Sequence, residues 1–473
     1  MRKRFLLLAV CWLAVAPLQA QFISVQDLHF PAGVAHQQLS ANELLMTYSL
    51  KPDKEHTSLR TVLYDTLLQV SQTFQTKLPF EFKVLKVSKA GNYYAHLLMP
   101  RGKAKEALLV ITDQAGTITG QHSLSGRWGG LHNIHQHATQ LYGDTQDPAF
   151  YLIFSEHKKQ FTVLKLLQEG TMAWEYTSPI ERRIVPGLHV RGDRLFVFAQ
   201  ESLSLRKHQE KVVVLNAHTD QVASSFSPGS AAETITTNRL SISATGDTLT
   251  FIGRSYPGRK LDNHTSGSLY LARYNAQGEQ LEERQLANGQ KRIYWHDVVE
   301  ADGKLYAVGE TFRTTTFGEH MLVGVATGLL TLGTLYISKA TLTTRDVVIR
   351  PLDEPSSMQQ VLSLPPSRYT ISTHLSPFVF ADLYGKAGAF RYRGARDGEL
   401  LLQVKDQAYT IPLAAQDNLQ PRPIGQMAPL EYILYSSNRY FIAYISDKSK
   451  NEYRLQRFKI HHPVPHVSNT SRR

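Results

Sequence analysis

The sequence predicts an all-β fold, a β-propeller of eight four-stranded antiparallel blades with seven as the alternative, and three observations lead there. Short runs of β-branched and aromatic residues return at intervals of roughly fifty to sixty residues, the spacing of a repeat architecture. Turn-forming residues, often Gly-Asp or Asp-Gly, stand before the runs, as a tight reversal between strands requires. No long segment shows helical periodicity of comparable strength. Groups of about four such strands, repeated seven or eight times, describe blades arranged in a ring.

The clearest recurring strand is Leu195-Phe196-Val197-Phe198 after Gly192-Asp193, with copies at Leu249 to Ile252 after Gly246-Asp247 and Leu305 to Val308 after Asp302-Gly303. Looser copies run from Tyr93 to Leu98 and from Phe150 to Phe154, and Leu44 to Leu50, Phe378 to Leu383 and Tyr440 to Ile445 complete eight. Most lead on to a hairpin partner: Leu108 to Thr112 turning at Asp113 to Gly116, Phe161 to Leu167 at Gln168 to Gly170, Val212 to Leu215 at Asn216 to Asp220, and Leu269 to Tyr274 at Asn275 to Gly278. Leu335 to Lys339 and Leu400 to Val404 take the same place in the later units. The stretches before the turns, such as Gly187 to Val190 and Tyr294 to Asp297, are expected as innermost strands. The last unit lacks a fourth strand, and Phe22 to Val25 has no blade of its own. Pairing the two would close the ring and cover a sheet edge.

The N-terminus explains part of the charge. Arg2, Lys3 and Arg4 precede an apolar run from Phe5 to Ala16, then Pro17 and Leu18-Gln19-Ala20, the three regions of a secretory signal peptide over residues 1–20. The run is too short to span a bilayer. The formal charge of +12 falls to about +9 once these three cations are removed, and no basic cluster interleaved with aromatics marks a nucleic-acid surface. The single cysteine, Cys11, leaves with the signal, so the mature chain has no disulfide and no thiolate metal ligand. Val10 stands where a lipobox needs a small residue. A disulfide-free exported chain suits the bacterial periplasm or exterior, which makes the sequons at Asn263 and Asn469 chance occurrences. One propeller domain is expected over 21–460 and a flexible tail over 461–473.

By this pattern the chain resembles secreted bacterial β-propellers in general, over essentially all of the mature sequence. The Trp-Asp and Gly-His pairs of WD40 repeats are absent, and the paired glycines of kelch repeats occur once, at Gly129-Gly130. The resemblance implies an architecture and no functional residues.

Residues 321–337 are uncharged and include a G-x-x-x-G at Gly324 and Gly328. The flanking strands belong to one blade, so a single membrane crossing would divide a sheet. The later part is expected to serve as a blade strand. Residues 321–334 are left either to pack on the propeller or to act as an exposed docking surface for a membrane or partner.

Histidine carries the candidate chemistry. His132, His135 and His137 are clustered, while His36, His189, His296 and His374 fall on expected innermost strands. Convergence of His135, His189 and His296 would create a metal site for Zn²⁺ or Mn²⁺, or acid–base groups; otherwise these are channel-lining or hydrogen-bonded imidazoles. Asp144 and Asp147 lack the alternating ligands of a Ca²⁺ loop and are expected in a blade turn. Arg127-Trp128 and Tyr294-Trp295 either line a stacking site or cover blade edges. No nucleophile elbow, zinc-protease helix, P-loop or dinucleotide fingerprint is present, and the sequence specifies no cofactor. The expectation is a monomeric binding or scaffolding module with a protein or carbohydrate ligand and no nucleic acid. The alternative is a metal-assisted enzyme on an extracellular polymer, such as a polysaccharide lyase or hydrolase.

Overall fold

A computed structural model describes residues 22–459 apart from 26–33, 128–138, 258–266, 315–337, 353–359, 374–389, 427–431 and shorter segments. Among the described residues, strands form eight four-stranded antiparallel sheets, as expected. In chain order, blade 1 spans 34–78, blade 2 82–123, blade 3 140–177, blade 4 183–226, blade 5 233–287, blade 6 293–373 and blade 7 392–426. Blade 8 combines 432–459 with Phe22–Val25.

Strands follow one another across each of the first seven sheets. The first strands of blades 1 and 2, 2 and 3, 3 and 4, 5 and 6, 6 and 7, and 8 and 1 touch, which makes the first strand the innermost and arranges the sheets in a ring. Second and third strands are covered on both faces by neighbouring blades, so they read as nearly continuous apolar runs, as in Ala149–Glu156 and Gln160–Leu167. The core lies between successive blades rather than at one centre. Leu97, Leu109 and Ile111 of blade 2 pack with Phe150, Leu152 and Leu164 of blade 3. Leu455 of blade 8 joins Leu44, Met46 and Val62 of blade 1.

The turns use the chemistry the sequence supplies. Between Ala301 and Lys304, Asp302 and Gly303 both adopt positive φ, 50° and 72°, the conformation of a two-residue hairpin turn whose twist matches the strands. Asp144 and Asp147 lie in the turn between the first two strands of blade 3, where Asp147 pairs with Lys165 at 2.9 Å.

Phe22–Val25 pairs antiparallel with Glu452–Lys459, placing Phe22 opposite Gln456, Ile23 opposite Leu455, Ser24 opposite Arg454 and Val25 opposite Tyr453. The missing fourth strand of the last sheet is therefore the one the sequence offers.

Blade 7 corrects one expectation. Phe378 to Leu383 lies outside the described residues, and the second-strand place assigned to it belongs to Glu399–Val404, with Tyr392–Arg396 inside it. Leu400 to Val404 is thus a second strand, not a third. Tyr392–Arg396 is short, polar and glycine-containing, so it does not announce itself as a strand. In blade 6 the described third strand is Ser338–Pro351, which begins near the end of Leu335 to Lys339. It pairs with Lys304–Thr314, so both ends of the apolar run return to one sheet. The run itself, residues 1–20 expected as a signal peptide and residues 461–473 expected as a tail lie outside the described residues. Among the described residues no helix is long and apolar enough to cross a membrane.

Candidate functional site

The inner strands contain a device that alternation cannot show. In blades 1, 2, 5, 6, 7 and 8 the pairing of first and second strands slips by one residue, leaving Leu39, Leu85, Asn238, His296, Arg393 and Leu434 as the extra residues of β-bulges. A bulge bends the strand and re-aims a side chain. On blades 8, 1 and 2 the bulged residue is leucine, whereas on blades 5, 6 and 7 it is Asn, His and Arg. The inner strands of blades 3 and 4 pair without a slip.

Glycine permits the close approach opposite two polar bulges. Gly253 faces Thr237 just before the blade 5 bulge, and a Cβ there would lie 2.0 Å from the Thr236 carbonyl oxygen. Gly309 faces Trp295 in the equivalent place of blade 6, where a Cβ would lie 2.6 Å from the Ile293 side chain.

Around the three polar bulges the blades are tied together by buried carboxylates. Glu310, on the second strand of blade 6, is fully buried. Its Oε1 accepts the Tyr392 N–H of blade 7 at 2.8 Å, and its Oε2 accepts Nε of the buried Arg391 at 3.0 Å. His296 Nε2 lies 3.3 Å from the same Oε1. Burial alone would push the Glu310 carboxyl up, but the His296 ring, the Arg391 guanidinium and the Tyr392 N–H outweigh it and hold the pKa at about 2. Asp297 joins three blades: Oδ2 accepts the Tyr392 hydroxyl of blade 7 at 2.7 Å and pairs with Arg239 of blade 5. Asn238 Nδ2 donates to the Trp295 carbonyl at 2.8 Å. Between blades 4 and 5, Glu210 accepts the Thr237 N–H at 2.6 Å and the Thr237 hydroxyl.

Aromatic rings fill the remaining space. Tyr294 stacks on Phe390 at 4.3 Å, and His296 stacks on Tyr392 at 5.0 Å. The Arg254 guanidinium lies 5.5 Å from the Phe312 ring and 5.7 Å from the Tyr294 ring. These carboxylates already accept backbone, hydroxyl and guanidinium donors, so they act as struts holding blades in register.

The other side of the ring is different. The inner strands of blades 1 to 4 contain no Asp or Glu, while Lys83, Lys86, Lys89, Arg183, Arg191, His36 and His189 stand on them. Burial first, and then the Lys86 charge, lower the His36 pKa to about 4. Burial and Arg191 bring His189 to about 4 as well. Burial also lowers the ammonium pKa of Lys86.

His189 and His296 therefore occupy inner strands as expected, on blades 4 and 6. His132, His135 and His137 lie outside the described residues, and the described inner strand of blade 3 begins at Gln140. His374 also lies outside them, and Gln360–Thr373 before it is the outermost strand of blade 6, not an innermost one. Among the described residues, no group of three or more His, Cys, Asp or Glu is placed to hold a metal ion. Trp295 is fully buried and Tyr294 nearly so, which assigns this pair to packing between blades rather than to a stacking surface. Arg127 forms a two-pronged pair with Glu175 at 2.9 and 2.5 Å, and Trp128 lies outside the described residues. The sequence reading missed Glu310, Glu210 and Arg391. An acid inside a strand otherwise read as core was the available signal.

No protein-family model matches the chain, and no curated protein matches it. Among solved structures it is similar to BamB from Moraxella catarrhalis, at 10% identity over 93% of this chain and 99% of that one with a TM-score of 0.40. It is also similar to the C-terminal WD40 domain of Sif2, at 10% identity over 93% and 97% with a TM-score of 0.43. AztD from Citrobacter koseri, in its apo form, is 11% identical over 86% and 89% with a TM-score of 0.36. The fold class rests on the eight sheets themselves, and likenesses this distant transfer neither a ligand nor an activity.

Proposed function

We propose that this chain is an exported binding or scaffolding module of the bacterial cell envelope, acting as a monomer in the periplasm, on the outer surface or after secretion. The observation that carries the reading is the saturation of the buried carboxylates that lie between blades 4 to 7. Glu210, Asp297 and Glu310 are occupied by donors from the adjoining blade, which favours a rigid frame over acid–base work. A rigid ring presents its channel and loops to a protein or carbohydrate ligand at little ordering cost.

The rival reading is a metal-assisted enzyme on an extracellular polymer using His135, His189 and His296. Binding is favoured over it because the His296 ring is held against Tyr392 and Phe390 and faces Glu310. Residues 321–334 remain a proposed contact for a membrane surface or partner; deleting them is expected to abolish envelope retention without unfolding the propeller.

Purified mature protein screened by thermal shift against envelope saccharides and peptides, with elemental analysis alongside, tests the main reading. The expected result is a ligand that raises Tm and is recovered chemically unchanged. Recovery of cleaved ligand together with stoichiometric metal would establish the enzyme instead.

A further inference from the structure

We propose that the inner strands of blades 1 to 4 form a binding wall for an oxyanion, the phosphate, sulfate or carboxylate group of a ligand entering the channel. This rests on the reading of the chain as a binding module and names the ligand class.

Four consecutive inner strands, Val34–Ser40, Phe82–Ala90, Gln140–Gly143 and Arg183–Arg191, touch in sequence around the ring and carry no carboxylate. His36 and Lys86 stand on the first two, both half-buried. On the fourth, His189 and Arg191 share one face while Leu188 and Val190 enter the core on the other. Lys86 has no ion-pair or hydrogen-bond partner among the described residues, and the Arg191 guanidinium donates to the Val190 carbonyl at 2.8 Å.

A half-desolvated ammonium without a counter-charge costs free energy that a bound anion would return. Burial chiefly lowers the His36 and His189 pKa values, and the Lys86 and Arg191 charges beside them add to the shift. The opposite arc shows that the fold can supply acids at this level when it needs them, since Asp297 stands on the inner strand of blade 6 and neutralises Arg239. A concave wall of one sign concentrates ligands of the other. Arg191 provides a planar fork for two oxygens, and Lys86 a point charge.

Isothermal titration of the mature protein at low ionic strength, with inorganic phosphate and separately with trigalacturonate, tests the proposal. At least one probe is expected to bind, more weakly as salt is added. Lys86→Ala and Arg191→Ala should each reduce affinity about tenfold or more. Arg101→Ala, an equal charge loss at the exposed rim of blade 2, should leave affinity within about twofold. Thermal melts establish that each variant is folded. Binding of phosphate alone assigns a free or esterified phosphate; binding of trigalacturonate assigns sugar-borne carboxylates. Absence of binding by both probes, or equal losses in all three variants, overturns the proposal. If both probes fail while a neutral saccharide or peptide raises Tm, the binding-module reading stands and the oxyanion wall falls.

Discussion

The two arcs of this ring solve the same packing problem with opposite electrostatics. Blades 5 to 7 place polar residues at their inner-strand bulges, and next to these Glu210, Asp297 and Glu310 accept donors across blade boundaries. Blades 1 to 4 carry only cationic and neutral side chains on their inner strands, with apolar bulges or none. Both arcs bury comparable apolar clusters between blades, so hydrophobic packing does not separate them. Buried carboxylates link the blades in one arc; in the other the inner-strand link is neutral, Gln140 Oε1 accepting the Leu188 N–H at 2.7 Å, and Lys86 has no counter-charge among the described residues. That contrast separates stabilising residues from residues available to a ligand.

The most severe way to break the contrast is Glu310→Ala. Arg391 and the Tyr392 N–H would lose their acceptor in a buried site, with an expected loss of about 3–5 kcal/mol in chemical denaturation. Thr237→Val removes one donor to Glu210 and keeps the backbone bond, so a loss of about 1–2 kcal/mol is expected.

Acid should affect the two arcs in different pH windows. Where His36 and His189 remain neutral in the folded chain to about pH 4, the unfolded chain takes up their protons from its ordinary value of 6.5. Stability contributed on that side is therefore complete above pH 6.5 and falls as pH drops toward 4. Glu310 is depressed from 4.5 to about 2, so its contribution is complete above pH 4.5 and is lost as pH falls toward 2. Denaturation curves across pH should show both windows. His189→Gln should flatten the upper one, and Glu310→Gln the lower one. A single window common to the wild type and both variants would refute the division.

The smallest expected effects differ in sign. Lys86→Met removes an uncompensated cation and should stabilise the ligand-free protein by about 1 kcal/mol, whereas Arg239→Met removes the ion-pair partner of Asp297, leaving it the Tyr392 hydroxyl, and should cost about 1 kcal/mol. Equal signs would remove the electrostatic distinction between the arcs.

The ring was legible because second strands such as Leu195 to Phe198 and Leu249 to Ile252 are buried on both faces and follow a turn signal. Burial on two faces forces a continuous apolar run, and such runs survive sequence inspection. Blade 7 was misplaced because Tyr392–Arg396 lacks that run. The polar struts were obscured for a different reason. A bulge is a fact of pairing register, and His296 appears in sequence as one more residue of Tyr294 to Asp297. Only the opposing Gly309 and Val308 reveal that it is unpaired. Glu310 left a trace as an acid within an apolar strand, but its partners Arg391 and Tyr392 lie eighty or more residues away. The acid-free character of the inner strands of blades 1 to 4 was present in the sequence, yet it becomes visible only once those strands are known to be neighbours.

Closure by Phe22–Val25 also sets an order of events. The partner of this strand, Glu452–Lys459, is the last described strand to emerge during synthesis. Until then the earliest strand of the ring has no sheet to join, and the faces of blades 1 and 8 that later cover Leu455 stay open to water. The slowest contact to form is thus the one that seals the core, and the interval before it forms is when the chain is most vulnerable to aggregation and proteolysis.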